Sequence, residues 1–356
     1  MVNVEEFRSL LAAWYHRHRR RLPWREEPAP YRVWISEIML QQTQVVTVVP
    51  YFERFIQAFP SVEALAAAPE EDVLTLWSGL GYYRRARHLH LAAKVVSTDL
   101  GGVFPQEAKE LERLPGIGKY TARAIASIAH GEPVAVLDGN VSRVLARCVR
   151  MEELINGSTG EKRLWELAQT LLDPADPSSH NQAMMELGAL ICTPTSPKCE
   201  ACPVQTRCEA RQKGDWMDFP KKKAKKKPLP IFEVAAFARR GDGAFLMARR
   251  PETGLLASLW ELPGGTRQEG AEHGLAQALS QRLGVSMELR QHRAKVRHLF
   301  SHRKLTLDIF DVQITGEPTA RSFYQECRWV SEEGLSSLPI SSLARKVLVG
   351  LEVLDG

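Results

Sequence analysis

The sequence contains no apolar run of transmembrane length, and its N-terminal segment lacks the continuous apolar stretch of a secretory signal. No internal repeat is apparent, and only six of its 356 residues are cysteines. These absences argue against a membrane-spanning helical protein, a repeat solenoid and a disulfide-stapled secreted domain. Because 356 residues exceed one ordinary hydrophobic core, we expect a cytoplasmic globular protein with two or more domains.

The net charge of the chain does not identify its binding partner. Lysine and arginine total 47 and aspartate and glutamate total 42, which gives a net charge of +5 and a pI near 8.9. A basic balance permits a polyanionic partner but does not prove one. The hydrophobic content of 44% and charged content of 25% are typical of a soluble globular protein.

Two regions that differ in the spacing of their apolar residues predict the domain organisation. Residues 1–214 show apolar positions at helical spacing, including "YRVWISEIMLQQTQVVTVVPYFERFIQAFP", where such spacing occurs on either side of Pro50. Residues 215–230, which include "KKKAKKK", predict an exposed linker. Residues 231–356 mix strand-like and helical runs, which predicts an α+β domain. The lysine run is compatible with a solvated linker, with electrostatic contact to DNA, or with docking of a partner.

Four cysteines fall within seventeen residues and predict a metal site. Cys192, Cys199, Cys202 and Cys208 have the spacing C-x6-C-x2-C-x5-C. Four thiolates suit zinc or an iron–sulfur cluster, and the residue chemistry alone does not decide between them. The bound metal would cross-link this loop, which is rich in proline and polar residues and could not otherwise pack.

The stretch "LPGIGKYTA" predicts a tight turn followed directly by a helix. Gly116 and Gly118 allow a backbone conformation and a close approach that residues with a Cβ do not allow. The N–H groups at the start of a helix can bind a phosphate, although a ligand-free turn between two helices has the same pattern.

Several motifs occur in the order found in a known superfamily. The cysteine spacing resembles the [4Fe–4S] motif of the endonuclease III superfamily of DNA glycosylases, "LPGIGKYTA" resembles its helix–hairpin–helix, and "VLDGNVSRV" resembles the segment that holds its catalytic aspartate. Two further stretches, "WISEIMLQQTQV" and "SGLGYYRRARHLH", and the "FSH" at residues 300–302 are similar to the MutY family of adenine glycosylases. The resemblance covers nearly the whole chain.

This resemblance implies a fold and an activity. The fold is a mainly α glycosylase domain at 1–214, with a helix–hairpin–helix at 111–130 and an iron–sulfur cluster loop at 192–208, followed by a Nudix-like α+β domain at 231–356. The activity is that of a monofunctional adenine DNA glycosylase, which hydrolyses the N-glycosidic bond of adenine opposite 8-oxoguanine or guanine. The implied partner is double-stranded DNA with these mispairs, the cofactor is a [4Fe–4S] cluster, and monomer is the default state. The compact length suggests a bacterial, nucleoid-associated enzyme.

The resemblance also implies catalytic residues. Breaking an N-glycosidic bond through a cationic sugar calls for an acid at the leaving base and an anion near the cation, by analogy with glycoside hydrolysis. Glu37, among apolar neighbours, is the candidate acid, because burial raises a carboxyl pKa. Asp138 is the candidate anion, and it also suits a helix N-cap. Asn140 and Tyr120 would form hydrogen bonds around this centre. The bifunctional relatives carry a lysine where this chain has Tyr120, so we expect no strong lyase activity.

The remaining candidate residues would read the bases. By resemblance, Gln42 and Tyr82 enter the base stack, while Thr43 and Leu80 line its surroundings. Trp24 and Arg25 would border the adenine pocket, and Gln182 would form hydrogen bonds with the adenine edge. In the second domain, the resemblance implies lesion-reading residues at the "FSH" motif, namely Phe300, Ser301 and His302.

Two rival functions are compatible with parts of the sequence. A Nudix pyrophosphohydrolase would need a glutamate-rich box, yet alignment on Gly284 puts Gln277–Ala278 and Gln281–Arg282 at its carboxylate positions. Without carboxylates a hard-cation site is not expected. The other rival is a non-catalytic, lesion-binding DNA protein, against which the presence of both Glu37 and Asp138 argues.

Overall fold

The structure, a computed structural model, describes residues 3–224, 227–267 and 271–355. Contacts within the chain divide it into two units. We call them the helical unit, Met1–Ala67 with His88–Lys225, and the mixed unit, Ala68–Arg87 with Lys226–Gly356. Segment 68–87 therefore belongs with the C-terminal residues, although it lies within the predicted N-terminal domain in sequence.

The helices, in chain order, are α1 (Val4–His18), α2 (Pro23–Glu26), α3 (Pro30–Leu40), α4 (Val45–Ala58), α5 (Val62–Ala67), α6 (Glu70–Trp77), α7 (Arg84–Asp99), α8 (Ala108–Leu111), α9 (Lys119–His130), α10 (Gly139–Cys148), α11 (Ser158–Leu171), α12 (Pro177–Leu190), α13 (Glu209–Lys213), α14 (Ala271–Leu283) and α15 (Ser342–Gly350). Short 3-10 turns occur at Cys199–Ala201, Gln205–Arg207, Trp216–Asp218 and Glu333–Ser337.

The ends of these helices follow local chemistry. The Asp176 side chain accepts a hydrogen bond of 3.0 Å from the N–H of Ser179, and Pro177 occupies the first position of α12, where its missing N–H costs nothing. Helix α9 ends at His130 and is followed by the capping residue Gly131, whose φ of 73° is readily adopted only by glycine. Helix α4 runs without a break through Pro50, so the helical spacing on both sides of this proline belongs to one helix.

One apolar core cluster of the helical unit is formed mainly by α1 and α9–α12. Phe7, Leu11, Val144, Leu164 and Leu187 are among its buried residues. Each of these helices contributes an apolar stripe, and burying such stripes stabilises a helical domain more than intrinsic helix propensity does. The helical character predicted for the N-terminal part of the chain is confirmed.

The first half of the predicted linker contacts the helical unit. The carbonyl of Lys221 accepts a hydrogen bond of 3.0 Å from the N–H of Ile155. The Asn156 side chain accepts one of 2.9 Å from the N–H of Lys223. Residues 225 and 226 of the lysine run lie outside the described residues, and the first strand begins at Leu229.

The strands of the mixed unit are β1 (Leu229–Ala238), β2 (Phe245–Arg249), β3 (Trp260–Glu261), β4 (Gly264–Thr266), β5 (Ser286–Leu299), β6 (Arg303–Thr315) and β7 (Glu326–Val330). They form a four-stranded sheet in the order β4-β1-β6-β5 and a three-stranded sheet in the order β3-β2-β7. Strands β1 and β6 are parallel, and β5 and β6 form an antiparallel hairpin.

Helices α14 and α15 contribute to the two apolar cores of the mixed unit. Leu275 and Leu279 of α14 cluster with Val234 and Ala236 of β1. Leu348 of α15 belongs to a second cluster that contains other residues of the four-stranded sheet. The α+β character predicted for the C-terminal part of the chain is confirmed.

Candidate active site

A cavity of about 1230 Å³ lies within the helical unit. Its lining combines residues from α2, α3, α9, α10 and α12 with the turns before α4, α9 and α10. The candidate residues that it brings together are Trp24, Arg25, Glu37, Gln42, Thr43, Gly116, Gly118, Tyr120, Asp138, Asn140 and Gln182. The other candidates, Leu80, Tyr82 and residues 300–302, belong to the mixed unit.

Glu37 is a buried carboxyl on α3. Residues Tyr31–Met39 of this helix are almost all buried, and Glu37 itself is only 5% exposed. The Tyr120 hydroxyl donates a hydrogen bond of 2.7 Å to Oε2 of Glu37. Burial, opposed by the Tyr120 hydrogen bond, raises the pKa of Glu37 to about 7, with smaller effects of the Asp138 charge, which raises it, and the Arg25 charge, which lowers it. Glu37 can therefore hold a proton near neutral pH.

Asp138 is the N-cap of α10, as the sequence predicted for the helix start. Its Oδ1 accepts a hydrogen bond of 2.7 Å from the N–H of Val141, and its Oδ2 accepts one of 3.0 Å from the Asn140 amide. Burial raises the pKa of Asp138, while these donors and the Arg143 charge oppose the rise. The carboxylate is thus held in one orientation at a helix N-terminus.

Asn140 also links Asp138 to the cysteine-containing loop through Arg143. Nη2 of Arg143 donates to Oδ1 of Asn140 at 2.9 Å, and its Nε donates to the carbonyl of Cys192 at 2.7 Å. A Cβ at Gly188 would lie 2.6 Å from Cβ of Asn140, so only glycine allows this approach of α10 and α12. Sequence reasoning missed Arg143; its position three residues after Asn140, one helical turn on, is the signal that could have found it.

Lys119 and Tyr120 are the first two residues of helix α9, and their side chains have different surroundings. The Tyr120 oxygen lies 2.7 Å from Glu37 and 3.1 Å from Sδ of Met185, and burial raises the pKa of this phenol well above its ordinary value. Lys119 also lines the cavity, but its ammonium lies over the Trp165 ring, 4.1 Å from the centroid. The group beside Glu37 is therefore a neutral hydroxyl and not an amine.

A second buried glutamate, Glu186, lines the same cavity and is ion-paired. Arg20 donates to its two oxygens at 2.7 and 2.8 Å, and Nη2 of Arg25 donates at 3.0 Å. Burial by itself would raise the pKa of Glu186, but the hydrogen bonds and charges of the two arginines lower it to about 2. Arg25 also lines the cavity. The role of Arg20 was not found from the sequence because 166 residues separate it from Glu186.

The expected adenine-pocket residues have mainly packing and amide contacts. Trp24 is 5% exposed and meets Phe52 edge-on, with ring centroids 5.2 Å apart. The Gln182 amide donates to Oγ of Ser178 at 3.3 Å, and both Trp24 and Gln182 line the cavity.

The two glycines of the turn before α9 have different surroundings, because Gly116 is closely packed and Gly118 is not. Gly116 has φ of 74°, and a Cβ there would lie 2.4 Å from Cβ of His88. At Gly118 no atom lies within 4 Å of such a Cβ, and no side chain caps the helix that follows. The close approach at Gly116 is therefore made by His88, while the N-terminus of α9 can accept a ligand beside Gly118.

In the mixed unit, Tyr82 meets the turn between β5 and β6. The Tyr82 side chain is 49% exposed, and its hydroxyl lies 3.3 Å from Oγ of Ser301. The N–H of Phe300 donates to the Arg303 carbonyl at 2.8 Å, so residues 300–303 form the tip of the hairpin, with Ser301 and His302 exposed. Leu80 is 6% exposed and so contributes to the packing of this unit.

Two non-glycine candidates have strained backbones. Gln42 has φ of 59° and Tyr82 has φ of 50°, a region that residues with a Cβ seldom occupy. Such strain is often retained at functional positions because it orients a side chain that the relaxed backbone would direct elsewhere.

Helix α14 carries no acidic cluster at the aligned Nudix-box positions. Arg282 donates to the Gly264 carbonyl at 2.7 Å and lies over the Phe323 ring, 4.0 Å from its centroid. Within the described helix, which runs AEHGLAQALSQRL, the one carboxylate is Glu272. The aligned positions of the box are thus occupied by packing and hydrogen-bonding residues.

The four clustered cysteines line one small apolar cavity in the helical unit. Cys192, Cys199, Cys202 and Cys208 all face it, together with Arg147, and Nη1 of Arg147 donates to Sγ of Cys192 at 3.3 Å. Among the described residues, no three histidine, cysteine or acidic side chains surround a single-ion position. Four thiols around an apolar cavity, with a cation beside one sulfur, fit a cluster that takes one thiolate at each iron.

No helix within the described part of the chain is both long and apolar enough to cross a membrane.

Two family models match the chain. Residues 35–170 match the HhH-GPD superfamily of base excision DNA repair proteins, and residues 234–349 match the NUDIX domain. A solved thermostable thymine-DNA glycosylase is similar to 59% of this chain over 97% of its own length, with a TM-score of 0.53 and 32% identity.

Curated relatives are similar over nearly the whole chain. Adenine DNA glycosylase of Rattus norvegicus is 36% identical over 98% of this chain and 78% of its own length, and that of Homo sapiens is 36% identical over 98% and 74%. The bacterial enzyme of Buchnera aphidicola subsp. Schizaphis graminum is 42% identical over 63% of this chain and 65% of its own length. With its HhH-GPD and NUDIX domains, the chain belongs to the adenine DNA glycosylase family, enzymes of base excision repair that act on DNA.

Proposed function

We propose that the protein is a monofunctional glycosylase that removes adenine paired with 8-oxoguanine or guanine. The observation that carries the proposal is the buried Glu37, hydrogen-bonded to Tyr120 at 2.7 Å, in the cavity that Asp138 also lines. An acid and an anion in one cavity are the two groups that cleavage of an N-glycosidic bond requires.

In the first step, protonated Glu37 donates its proton to N7 of adenine. The bond between C1′ and N9 then breaks, and its electron pair leaves with the base. The pKa near 7 supports this role, because an acid is most effective when its pKa is close to the working pH. A water then adds to C1′ and gives a proton to the Glu37 carboxylate, which restores the acid.

Asp138 stabilises the sugar cation that forms when the base leaves. Its fixed orientation, with hydrogen bonds from Val141 and Asn140, supports this assignment, because a pre-oriented charge needs no reorganisation during the reaction. Asn140 is a positioning residue in this proposal: it holds Asp138 and is itself held by Arg143.

The absence of lyase activity rests on Tyr120. A lyase needs an amine that forms a Schiff base with the sugar. The group beside Glu37 is a hydroxyl, and the neighbouring Lys119 ammonium lies over Trp165. The base is therefore released and the DNA strand stays intact.

In the helical unit, the duplex backbone binds the turn at Gly116 and Gly118, where the uncapped N-terminus of α9 offers N–H groups to a phosphate. Trp24, Arg25 and Gln182 surround the extruded adenine. Gln42 enters the base stack, a role that its positive φ supports, and Thr43 lines the surroundings of the stack.

In the mixed unit, the hairpin tip reads the base opposite adenine. Tyr82 stacks on this base and Ser301 forms a hydrogen bond that distinguishes the oxidised from the normal guanine, with Phe300 and His302 beside it. The 3.3 Å contact between Tyr82 and Ser301 supports a joint role, and the buried Leu80 supports the Tyr82 loop.

A [4Fe–4S] cluster would cross-link the cysteine loop and so hold in place the surface that follows α12. Its ligands would be Cys192, Cys199, Cys202 and Cys208. The lining of their shared cavity supports this cofactor. The purified holoprotein is then expected to absorb broadly in the visible range, whereas a zinc protein would be colourless.

We further propose functional domains at 1–214 and 231–356, joined by 215–230, in a monomeric enzyme of the bacterial cytoplasm associated with the nucleoid. The compositional change at residues 215–230 supports the division. Size-exclusion chromatography with light scattering tests the monomer, and a dimer mass would contradict it.

Labelled duplexes with adenine opposite 8-oxoguanine, guanine, cytosine or thymine test the activity. Strand breaks are expected only after hot alkali and only with the first two partners. Breaks without alkali would show a lyase nucleophile, with Lys119 the first suspect. The matched variant Asp138→Asn is expected to bind the duplex and release no adenine; full activity in this variant would overturn the mechanism.

A further inference from the structure

The two faces of the β4-β1-β6-β5 sheet are covered to different extents. On one face, alternate residues such as Ala235, Leu305 and Leu307 are buried in the same apolar cluster as residues of α15. On the other face, α14 covers Val234, Ala236 and Val312 but does not cover the part nearest the hairpin tip.

The strand register identifies the residues of this uncovered part. Thr306 pairs with Arg297 on β5 and with Phe232 on β1, and Lys304 pairs with Leu299. Paired residues of neighbouring strands direct their side chains to the same face. Phe232 is 51% exposed and Leu299 is 67% exposed, which is high for large apolar residues on sheet strands.

Cations surround these apolar groups. Lys295, Arg297 and Lys304 are exposed on the same face, and Arg267 follows β4 beside Phe232. The one carboxylate of the group is the buried Asp308, which pairs with Arg267 at 2.9 Å and Lys295 at 3.3 Å, with His292 3.2 Å away. Neither Arg297 nor Lys304 forms an ion pair with a residue that the structure describes.

We propose that this basic sheet face, formed by Phe232, Arg267, Lys295, Arg297, Leu299 and Lys304, binds the sugar–phosphate backbone of duplex DNA beside the mispair. Four cations against one carboxylate are complementary to a polyanion. The face continues directly into the hairpin tip at residues 300–302, and DNA is the substrate of this enzyme family. Phe232 packs against deoxyribose, which is the apolar part of the backbone.

The spacing of the cations suits this partner. Lys295 and Arg297 are alternate residues of β5, so their Cα atoms are about 6.8 Å apart along the strand. Successive phosphates of one DNA strand advance about 3.4 Å along the helix axis. Because the phosphates wind around this axis, consecutive phosphates lie farther apart than the axial rise, so alternate residues of β5 match consecutive phosphates of one DNA strand.

The salt dependence of DNA binding tests the proposal. Binding of the holoprotein to a fully paired 30-base-pair duplex and to one with an abasic-site analogue opposite 8-oxoguanine is measured between about 50 and 200 mM potassium chloride. Each phosphate contact contributes about 0.9 to the slope of log K against log salt. Arg297→Gln and Lys304→Gln should each reduce the slope by about 0.9, and the double variant by about 1.8, equally on both duplexes.

Arg345→Gln is the matched control, since Arg345 is exposed on α15, which packs on the opposite face, and this variant should leave the slope unchanged. A double variant that melts like the parent but keeps its slope would overturn the proposal. So would a loss confined to the 8-oxoguanine duplex, which would assign these residues to lesion reading. Because the fully paired duplex contains no mispair, this measurement is independent of the proposed adenine excision and of the role of Ser301.

Discussion

Glu37 and Glu186 are buried glutamates that line one cavity, yet their surroundings move their pKa values in opposite directions. Glu37 has one hydroxyl donor and a nearby carboxylate, and its pKa is raised to about 7. Glu186 has Arg20 and Arg25, and its pKa is lowered to about 2. Burial alone raises a carboxyl pKa, so the difference is caused by the paired arginines. One glutamate is therefore suited to carry a proton, and the other to hold two arginines in place.

The largest expected effect comes from removing the proton carrier. Glu37→Gln should lower the single-turnover rate of adenine release by about 10²–10⁴-fold, the usual contribution of a general acid. The substitution keeps the shape of the side chain and its contact with Tyr120, so DNA affinity should be nearly unchanged. Quenched-flow measurement of base release, beside anisotropy of the same duplex, separates the two effects. Wild-type rates in this variant would remove Glu37 from the mechanism.

Removing the charge of Glu186 should lower the free energy of unfolding and not the rate of the chemical step. Glu186→Gln should lower the free energy of unfolding by about 3 kcal/mol, the lower end for a broken buried ion pair, because the Arg20 side chain is one-third exposed. Thermal or urea unfolding of the holoprotein measures the change. The exposed pair of Glu110 and Arg113 supplies the control, Glu110→Gln, which should cost under about 1 kcal/mol. A loss as small as that of the control would show that Glu186 and its arginines contribute no more to stability than an exposed ion pair does.

The pH dependence of stability should have opposite signs at the two sites. The folded-state pKa of Glu37 lies above its ordinary value of 4.5, so its stabilising contribution is complete below pH 4.5 and lost as pH rises through about 7. The folded-state pKa of Glu186 lies below 4.5, so its contribution is present above pH 4.5 and lost as pH falls towards about 2. Each pKa unit corresponds to about 1.4 kcal/mol, so each contribution is about 3 kcal/mol.

Glutamine variants isolate these contributions, because an amide does not titrate. Relative to the parent, Glu37→Gln should gain about 3 kcal/mol in unfolding free energy between pH 4.5 and 8, while Glu186→Gln should lose its deficit as pH is lowered below 4.5. Parallel stability curves for the parent and both variants would show that neither group is perturbed.

The smallest expected effect lies outside the glutamate pair, in the mixed unit. Ser301→Ala should reduce the preference for 8-oxoguanine over guanine by about tenfold or less, since one hydrogen bond contributes about 0.5–1.5 kcal/mol. The rate with a guanine partner should change little, because the chemistry belongs to the helical unit. His302→Gln at the same hairpin tip is a suitable comparison. A loss of rate with both partners, without a loss of preference, would show that Ser301 supports catalysis and does not read the base.

Sequence patterns predicted much of the fold because they are local. The capping position of Asp138, the turn at Gly116 and the change to strands after the lysine-rich linker each depend on neighbours within a few residues. The membership of segment 68–87 in the mixed unit could not be predicted in this way. It depends on contacts such as the hydrogen bond of 2.9 Å from the Tyr83 hydroxyl to the Ile340 carbonyl, across 257 residues.

The candidate site also contains some residues that the sequence indicated and others that it did not. The sequence, through its motifs and their order, indicated Glu37, Asp138, Tyr120 and the cysteine group as candidates, because residue type and spacing carry the chemistry. It gave no sign of Arg20 as the partner of Glu186. Its one sign of Arg143, which bridges Asn140 and Cys192, was the spacing of one helical turn from Asn140.

By itself, the sequence determined the family, the helical and mixed character of the two parts of the chain, and the set of residues capable of acid–base and thiolate chemistry. Only the tertiary structure decided which buried glutamate has a raised pKa and which has a lowered one. The physical reason is that a pKa depends on burial and on charges close in space, and here the deciding charges come from residues more than 160 positions away.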